Sequence, residues 1–153
     1  RGDHFFLHPE TKNDAKHKQF VQKFKTQTGS YPIYSVYHMV QGLTGLKAGY
    51  EKAIKDNGGK WPSTEQVADA MHSIEFKGYG RTIKMRADGQ GLEDQLLGVT
   101  KKTSKYPFPV MDNMMIIPAE IATPPVGEKS PAWVKSIKSD ILNNTKLKTY
   151  SAN

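Results

Sequence analysis

The residues that could do chemistry are scattered along the chain, without the spacing of a catalytic or metal site. The absence of cysteine excludes disulfides, zinc–thiolate centres and thiol catalysis. His4 and His8 would lie roughly 13 Å apart on an extended strand, too far to chelate one metal ion. Residues 88–91 (DGQG) lack the liganding positions of a calcium loop and are typical of a turn. Since no nucleophile–base pair is visible, we expect binding and not catalysis, with no cofactor and no metal.

The charge of the chain raises a second possibility. Its 22 lysine and arginine residues outnumber its 15 acidic residues, and the formal net charge is +7. The basic residues are spread along the chain, without the clustering and stacking aromatics of a nucleic-acid module. We therefore interpret them as solvated helix faces and expect no nucleic-acid partner. The alternative is a basic interaction module that binds nucleic acid or an acidic surface, and steep salt dependence would distinguish it.

The element that would position any site is a long helix within residues 31–59. Apolar residues recur there at three- and four-residue steps and predict one apolar face, formed by Val36, Val40, Leu43, Leu46, Tyr50 and Ala53. Polar residues, Gln41 among them, fall largely on the other faces. The NGG sequence at residues 57–59 supplies a stop.

Shorter elements flank this helix on both sides. Residues 4–8 before Pro9 predict a buried strand. A first helix, capped by Asn13 or Asp14 and ended by Gly29, would turn Phe20, Val21 and Phe24 inward. The STEQ sequence at residues 63–66 has the form of a capping box that opens a third helix. Alternating or apolar runs then predict strands at residues 82–86, 96–99 and 110–117.

The pattern predicts an α/β segment of a larger domain. Only one clear βα step is present, too little for a complete doubly wound sheet. We expect residues 1–125 to form the main segment, and residues 126–153 a linker, a closing helix and a polar tail. Ser130 as N-cap and Pro131 at the first helical position predict that last helix, with its apolar face reaching Ile141.

Several stretches in this order match one family. They are GDHFFLHP at residues 2–9, FKTQTGSYP at 24–32, YSVYHMVQGLTGLKAGYEKAI at 34–54, MHSIEFKGYGRTIKMRADGQ at 71–90 and DQLLGVTKK at 94–102. Together they cover about residues 2–142, and the RADGQ hairpin is the sharpest piece. The chain resembles the C-terminal part of the type I periplasmic solute-binding proteins of ABC transporters, in the group that binds branched-chain amino acids.

The resemblance implies a type I periplasmic-binding-protein fold, in which two Rossmann-like α/β lobes close on a small solute. The chain would be the C-terminal segment only, and the remaining N-terminal portion of the same protein would be one partner. An ABC transporter permease in the membrane would be another, with a periplasmic or otherwise extracytoplasmic location. An isolated segment would expose apolar helix faces and an unpaired sheet edge, so we expect self-association.

The resemblance also implies ligand-binding residues. Tyr37 matches the solute-facing tyrosine near the start of the family's long helix, and Tyr34, His38 and His8 are further candidates. Ordinary structural roles are the alternatives: a half-buried helix tyrosine, a solvated or structural histidine and a strand-end residue. His38 and Met39 stand where small or acidic residues are common in the family. The solute is therefore left open among amino acids, carboxylates and aromatic compounds.

Overall fold

The chain has a mixed α/β fold with two small antiparallel sheets, in a computed structural model that describes residues 7–79, 82–138, 147 and 149–151. Three helices come first: α1 (Ala15–Thr28), α2 (Tyr34–Asp56) and α3 (Thr64–Met71). The first sheet contains β1 (Glu75–Lys77), β2 (Thr82–Met85) and β3 (Gly91–Leu92). The second contains β4 (Gln95–Lys101), β5 (Val110–Ile117) and β6 (Thr149–Tyr150), and the short helices α4 (Ala119–Ala122) and α5 (Ser130–Ser136) follow β5. The predicted mixture of helices and strands is confirmed.

Two compact units divide the chain, one up to Gly91 and the other from Leu92 onward. In the first unit, β1 pairs antiparallel with β2, and Phe76 lies opposite Ile83. In the second, β4 pairs antiparallel with β5. The linker predicted near residue 125 lies between α4 and α5, and its role as a boundary stays a prediction. Most of the strand predicted at residues 4–8 lies outside the described residues.

The predicted helix caps are confirmed for α1 and α3. The Asp14 side chain accepts the backbone N–H of His17 at 3.0 Å, and Gly29 ends α1 in the left-handed region with φ of 74°. At α3, the Ser63 hydroxyl accepts the Gln66 N–H, and the Gln66 side chain accepts the Ser63 N–H. This reciprocal capping box satisfies two backbone donors that a helix start leaves without partners.

The predicted cap of the last helix is wrong. Helix α5 begins at Ser130, so the N-cap is Lys129, whose side chain makes no capping hydrogen bond. Proline lies in the first turn as expected, because its missing N–H costs nothing there. The helix ends at Ser136, and the predicted extension to Ile141 runs into residues outside the described part.

Helix α2 confirms the predicted long helix, but only part of the predicted apolar face is buried. The buried residues recur at every fourth position: Tyr37, Gln41, Gly45, Gly49 and Ala53. Of the predicted apolar face, Ala53 is buried, Val36, Val40 and Tyr50 are half-buried, and Leu43 and Leu46 are exposed. Because an α-helix has 3.6 residues per turn, each four-residue step advances the buried line by about 40° around the axis. Gln41, which the sequence places among the polar residues of the helix, is one of these buried positions.

Glycine explains why the buried line winds in this way. A methyl group added at Gly45 would lie 2.8 Å from Cζ of Phe76 in β1. One added at Gly49 would lie 2.7 Å from Cγ of Met71 in α3. Both distances are shorter than van der Waals contact, so glycine allows β1 and α3 to pack directly on the helix backbone. The apolar periodicity of α2 does not report this packing, since glycine contributes no apolar side chain.

The close packing at Gly45 leads to a first prediction. Gly45→Ala should lower the free energy of unfolding by about 1–3 kcal/mol, because the added methyl overpacks the Phe76 ring. Gly42→Ala is the matched control: nothing lies within 4 Å of the added methyl, and alanine is about 1 kcal/mol better than glycine in a helix. Urea unfolding measures both variants. Equal stability of the two would contradict the packing.

Candidate functional site

A buried histidine connects the loop before α1 to helix α2. Nδ1 of His17 lies 3.0 Å from the Thr11 carbonyl oxygen, and Nε2 lies 2.7 Å from the Tyr37 hydroxyl. A carbonyl oxygen only accepts hydrogen bonds, so Nδ1 holds the ring proton and donates it to Thr11. In the neutral imidazole, Nε2 then accepts the hydroxyl proton of Tyr37. The contact thus fixes one tautomer of His17.

Burial decides the protonation state on both sides of this contact. It lowers the pKa of His17, against the opposing effects of the Thr11 carbonyl and of Asp14. It also raises the pKa of Tyr37, and nearby Tyr79 acts in the same direction. Both shifts favour the uncharged form, because a charged group loses its hydration inside the protein. The pair therefore needs no counter-ion at neutral pH.

Four rings pack around this hydrogen bond and form what we call the aromatic cluster: His17, Phe20, Tyr37 and Tyr79. Phe20 stacks on Tyr79 with ring centroids 4.8 Å apart and meets Tyr37 edge-on at 5.6 Å. The His17 ring lies 5.4 Å from Tyr79. Such offset and edge-on geometries are the favoured ones for aromatic pairs. Helices α1 and α2 and the chain after β1 therefore meet at one aromatic centre.

An open groove of about 750 Å³ lies beside the aromatic cluster. Helix α2 contributes Val40 and Thr44 to its wall, and the chain at and after β1 contributes Lys77 and Tyr79. The rest of the described wall comes from the start of α1 and the loop before it: Glu10, Thr11, Asp14, Ala15 and Lys16. Charges of both signs lie in this lining. The pKa of Asp14 is lowered, first by the backbone N–H of His17 and also by the positive charge of Lys77. The volume is within the range of roughly 300–1,000 Å³ that is usual for small-molecule sites.

The four predicted ligand-binding residues fall into two pairs. Tyr37 and His8 are buried and belong to one hydrogen-bonded path: the His8 carbonyl accepts the Thr11 N–H at 3.0 Å, and Thr11 in turn accepts from the imidazole that bonds Tyr37. Tyr34 and His38 instead pack ring against ring on an exposed part of α2, with centroids 5.7 Å apart. Among the described lining residues of the groove, none of these four is present. Their direct contact with a solute stays a prediction.

Sequence reasoning missed His17, Thr11 and Tyr79. One signal for His17 is present, because it precedes Phe20 and Phe24 by three and seven residues and so shares their side of α1. Its two lysine neighbours (KHK at residues 16–18) hide this signal, since such a run is typical of a solvated face. Tyr79 follows a short strand and has no local signal. Its place depends on packing against α1 and α2.

Comparison of the chain with models of known protein families and with curated proteins finds no match. In the described ranges, no three histidine, cysteine or carboxylate residues lie close enough to hold a metal ion. Among the helices of those same ranges, none is both long and apolar enough to cross a membrane.

The buried imidazole leads to a second prediction, on acid stability. Because the folded-state pKa of His17 is depressed below its usual value of about 6.5, the unfolded chain binds this proton more readily. The stability that the neutral His17 imidazole contributes is fully present above about pH 6.5. It is lost as the pH falls through the folded-state pKa of His17. The lowered pKa of Asp14 adds a separate loss below about pH 4.

Proton NMR of the histidine ring signals measures this property directly. The Cε1 proton of His17 should titrate below about pH 6.5. Titration at or above that value would contradict the burial of a neutral imidazole.

A third prediction concerns the hydroxyl that bonds the imidazole. Tyr37→Phe leaves Nε2 of His17 without this donor in a buried site, and should lower the free energy of unfolding by about 1–3 kcal/mol. Tyr34→Phe is the matched control, because Tyr34 is exposed and surface changes usually stay within about 0.5 kcal/mol. Chemical denaturation of both variants is the measurement. A Tyr37→Phe variant as stable as the control would refute the buried hydrogen bond.

Proposed function

We propose that this chain is the C-terminal segment of a type I periplasmic solute-binding protein, which captures a small organic solute outside the cytoplasm for an ABC importer. The solute is an amino acid, a carboxylate or an aromatic compound. It would be held between two α/β lobes that close by a hinge motion, and the closed form would be presented to a permease in the membrane. The activity is binding and not catalysis.

The groove beside the aromatic cluster is the observation that supports this function most. Its lining includes the basic residues Lys16 and Lys77, the acidic residues Glu10 and Asp14, and Thr44 and Tyr79. A carboxylate on a solute is favoured by a nearby ammonium group, and an apolar or aromatic part is favoured by ring surface. Ala15, Val40 and Tyr79 supply the apolar part of this lining.

Tyr37 supports the proposal through its position. Its ring lies edge-on to Phe20 and Tyr79, and its hydroxyl is bonded to His17. It therefore holds in place the wall of the groove that Tyr79 forms. In the proposed complete protein, the remaining N-terminal portion would supply the facing lobe, and closure would bring that lobe over the groove.

Solute binding by the full chain is the fourth prediction. Leucine, benzoate and succinate are offered separately, and isothermal titration calorimetry or ligand-observed NMR measures binding up to about 10 mM, because one lobe alone is expected to bind weakly. Lys77→Gln removes an ammonium group from the groove, and should weaken binding of a carboxylate solute about tenfold, or about 1.4 kcal/mol. Lys84→Gln is the control: Lys84 lies in β2, where its ammonium is 3.8 Å from a Glu75 carboxylate oxygen.

Three outcomes would count against the proposal. If none of the three solutes binds, small-solute capture by this segment is refuted. If Lys77→Gln and Lys84→Gln bind equally well, the groove is not the site. If duplex DNA binds more tightly than any solute, and its affinity falls steeply with salt, phosphate recognition is the better explanation.

A further inference from the structure

The end of α2 carries the one Asn–Gly sequence of the chain, Asn57–Gly58. An asparagine before glycine is open to attack by its own backbone, because glycine has no side chain to hinder the approach. The Gly58 nitrogen bonds to Cγ of Asn57, and the Asn57 amide nitrogen leaves with the Gly58 N–H proton as ammonia. Water then adds across one C–N bond of the five-membered imide and gives aspartate or isoaspartate. The reaction consumes only water and transfers no electrons.

In the folded chain, the helix end holds the attacking nitrogen in another contact. The Gly58 N–H donates to the Lys55 carbonyl at 3.2 Å, and the Gly59 N–H donates to the Ile54 carbonyl at 2.9 Å. With Gly58 in the left-handed region at φ of 63°, these bonds form a Schellman motif. Ring closure needs Cβ of Asn57 and the Gly58 nitrogen on the same side of the Cα–C bond. At the observed ψ of 22° they lie on opposite sides.

The Asn57 side chain is held as well. Its Nδ2 donates to the Trp61 carbonyl at 3.3 Å and to the Lys60 carbonyl at 3.4 Å. Its Oδ1 accepts from Nε2 of Gln66 at 3.2 Å. Gln66 also belongs to the capping box that opens α3, so these contacts join the end of α2, the following loop and α3. We call Asn57, Lys60, Trp61 and Gln66 the helix junction.

We propose that Asn57 is a site of spontaneous deamidation, which the helix junction keeps unreactive until it opens. Ring closure must rotate the Asn57 backbone and release the Gly58 N–H, so only locally opened molecules react. The rate of modification then reports how often this part of the unit opens. The inference is independent of the proposed solute binding, because the junction lies at the opposite end of α2 from Tyr37.

Deamidation would weaken the same junction. A carboxylate at position 57 has no N–H to donate, so the carbonyls of Lys60 and Trp61 would lose their donor and face a negative charge. Asp56 and Asp69 line the same small cavity as Asn57, so the new charge would also be added beside two acidic residues. Isoaspartate further lengthens the main chain by one carbon, which disturbs the Schellman motif. Modified molecules should therefore hold α3 less firmly on α2.

Peptide mapping by mass spectrometry tests the proposal on the full chain. The chain is incubated in mildly alkaline buffer, once folded and once in urea, and the peptide that contains residues 57–58 is followed over time. In urea, Asn57 should convert to a mixture of aspartate and isoaspartate. The folded chain should react at least about tenfold more slowly, because the junction must open first.

Gln66→Glu tests the junction itself. Glutamate can still accept the Ser63 N–H in the capping box, but it cannot donate to Oδ1 of Asn57. It should speed deamidation of the folded chain about fivefold, as expected for the loss of one hydrogen bond, and leave the rate in urea unchanged. Gln95→Glu is the matched control: it makes the same charge change at an exposed position of β4, in the other unit, and should change neither rate.

Two results on the unsubstituted chain would overturn the proposal. An Asn57 that stays intact in urea would show that the bond is not reactive, and equal rates with and without urea would show that the fold does not protect it. Equal folded-state rates in Gln66→Glu and Gln95→Glu would exclude the role of Gln66, once circular dichroism has verified that both are folded. Asn57→Asp imitates one product and should unfold at a lower urea concentration. An unchanged midpoint would contradict the weakened junction.

Discussion

The hydrogen bond between the His17 imidazole and the Tyr37 hydroxyl is the contact on which the first unit depends. It joins α1 to α2, and the second ring nitrogen of His17 continues the path to the Thr11 carbonyl in the loop before α1. Buried polar groups are tolerated only when they are bonded, so each of these partners requires the others to stay in place. Tyr79 packs on the resulting cluster and also lines the groove. The wall of the candidate binding site is thus fixed by an interaction inside the core, and one proton position in His17 determines whether that interaction is complete.

The buried residues of α2 and its exposed apolar residues lie on different sides of the helix along most of its length. The buried line advances around the axis in four-residue steps, and passes over Gly45 and Gly49, where β1 and α3 approach the backbone. The seam of Met39, Leu43 and Leu46 runs straight along the outer side. The same helix therefore packs the core of its unit and leaves this apolar stripe exposed. The groove is lined by other positions of the helix, Val40 and Thr44.

Local signals predicted the elements well and their packing less well. The Ser63–Gln66 capping box, the Asp14 cap, the Gly29 stop and the strand at residues 110–117 all depend on nearby residues, so the sequence contains what determines them. The buried face of α2 was predicted only in part: Ala53 is buried as expected, but glycine and Gln41 are buried there by tertiary contacts that apolar periodicity does not encode. The site depends on the same kind of contact: His17 lies between two lysines in sequence, and only the approach of Tyr37, twenty residues away, makes it a buried acceptor. The antiparallel pairing of the described strands likewise depends on partners distant in sequence.

The tautomer of His17 is the most direct test of this core interaction. Nitrogen-15 NMR of the imidazole, recorded above pH 7, distinguishes a protonated from an unprotonated ring nitrogen. We expect the proton on Nδ1, an unprotonated Nε2 that accepts a hydrogen bond, and a change confined mainly to Nε2 in Tyr37→Phe. A proton on Nε2, or signals that average both tautomers as in a solvated histidine, would contradict the buried connection from Thr11 to Tyr37 and with it the basis of the groove.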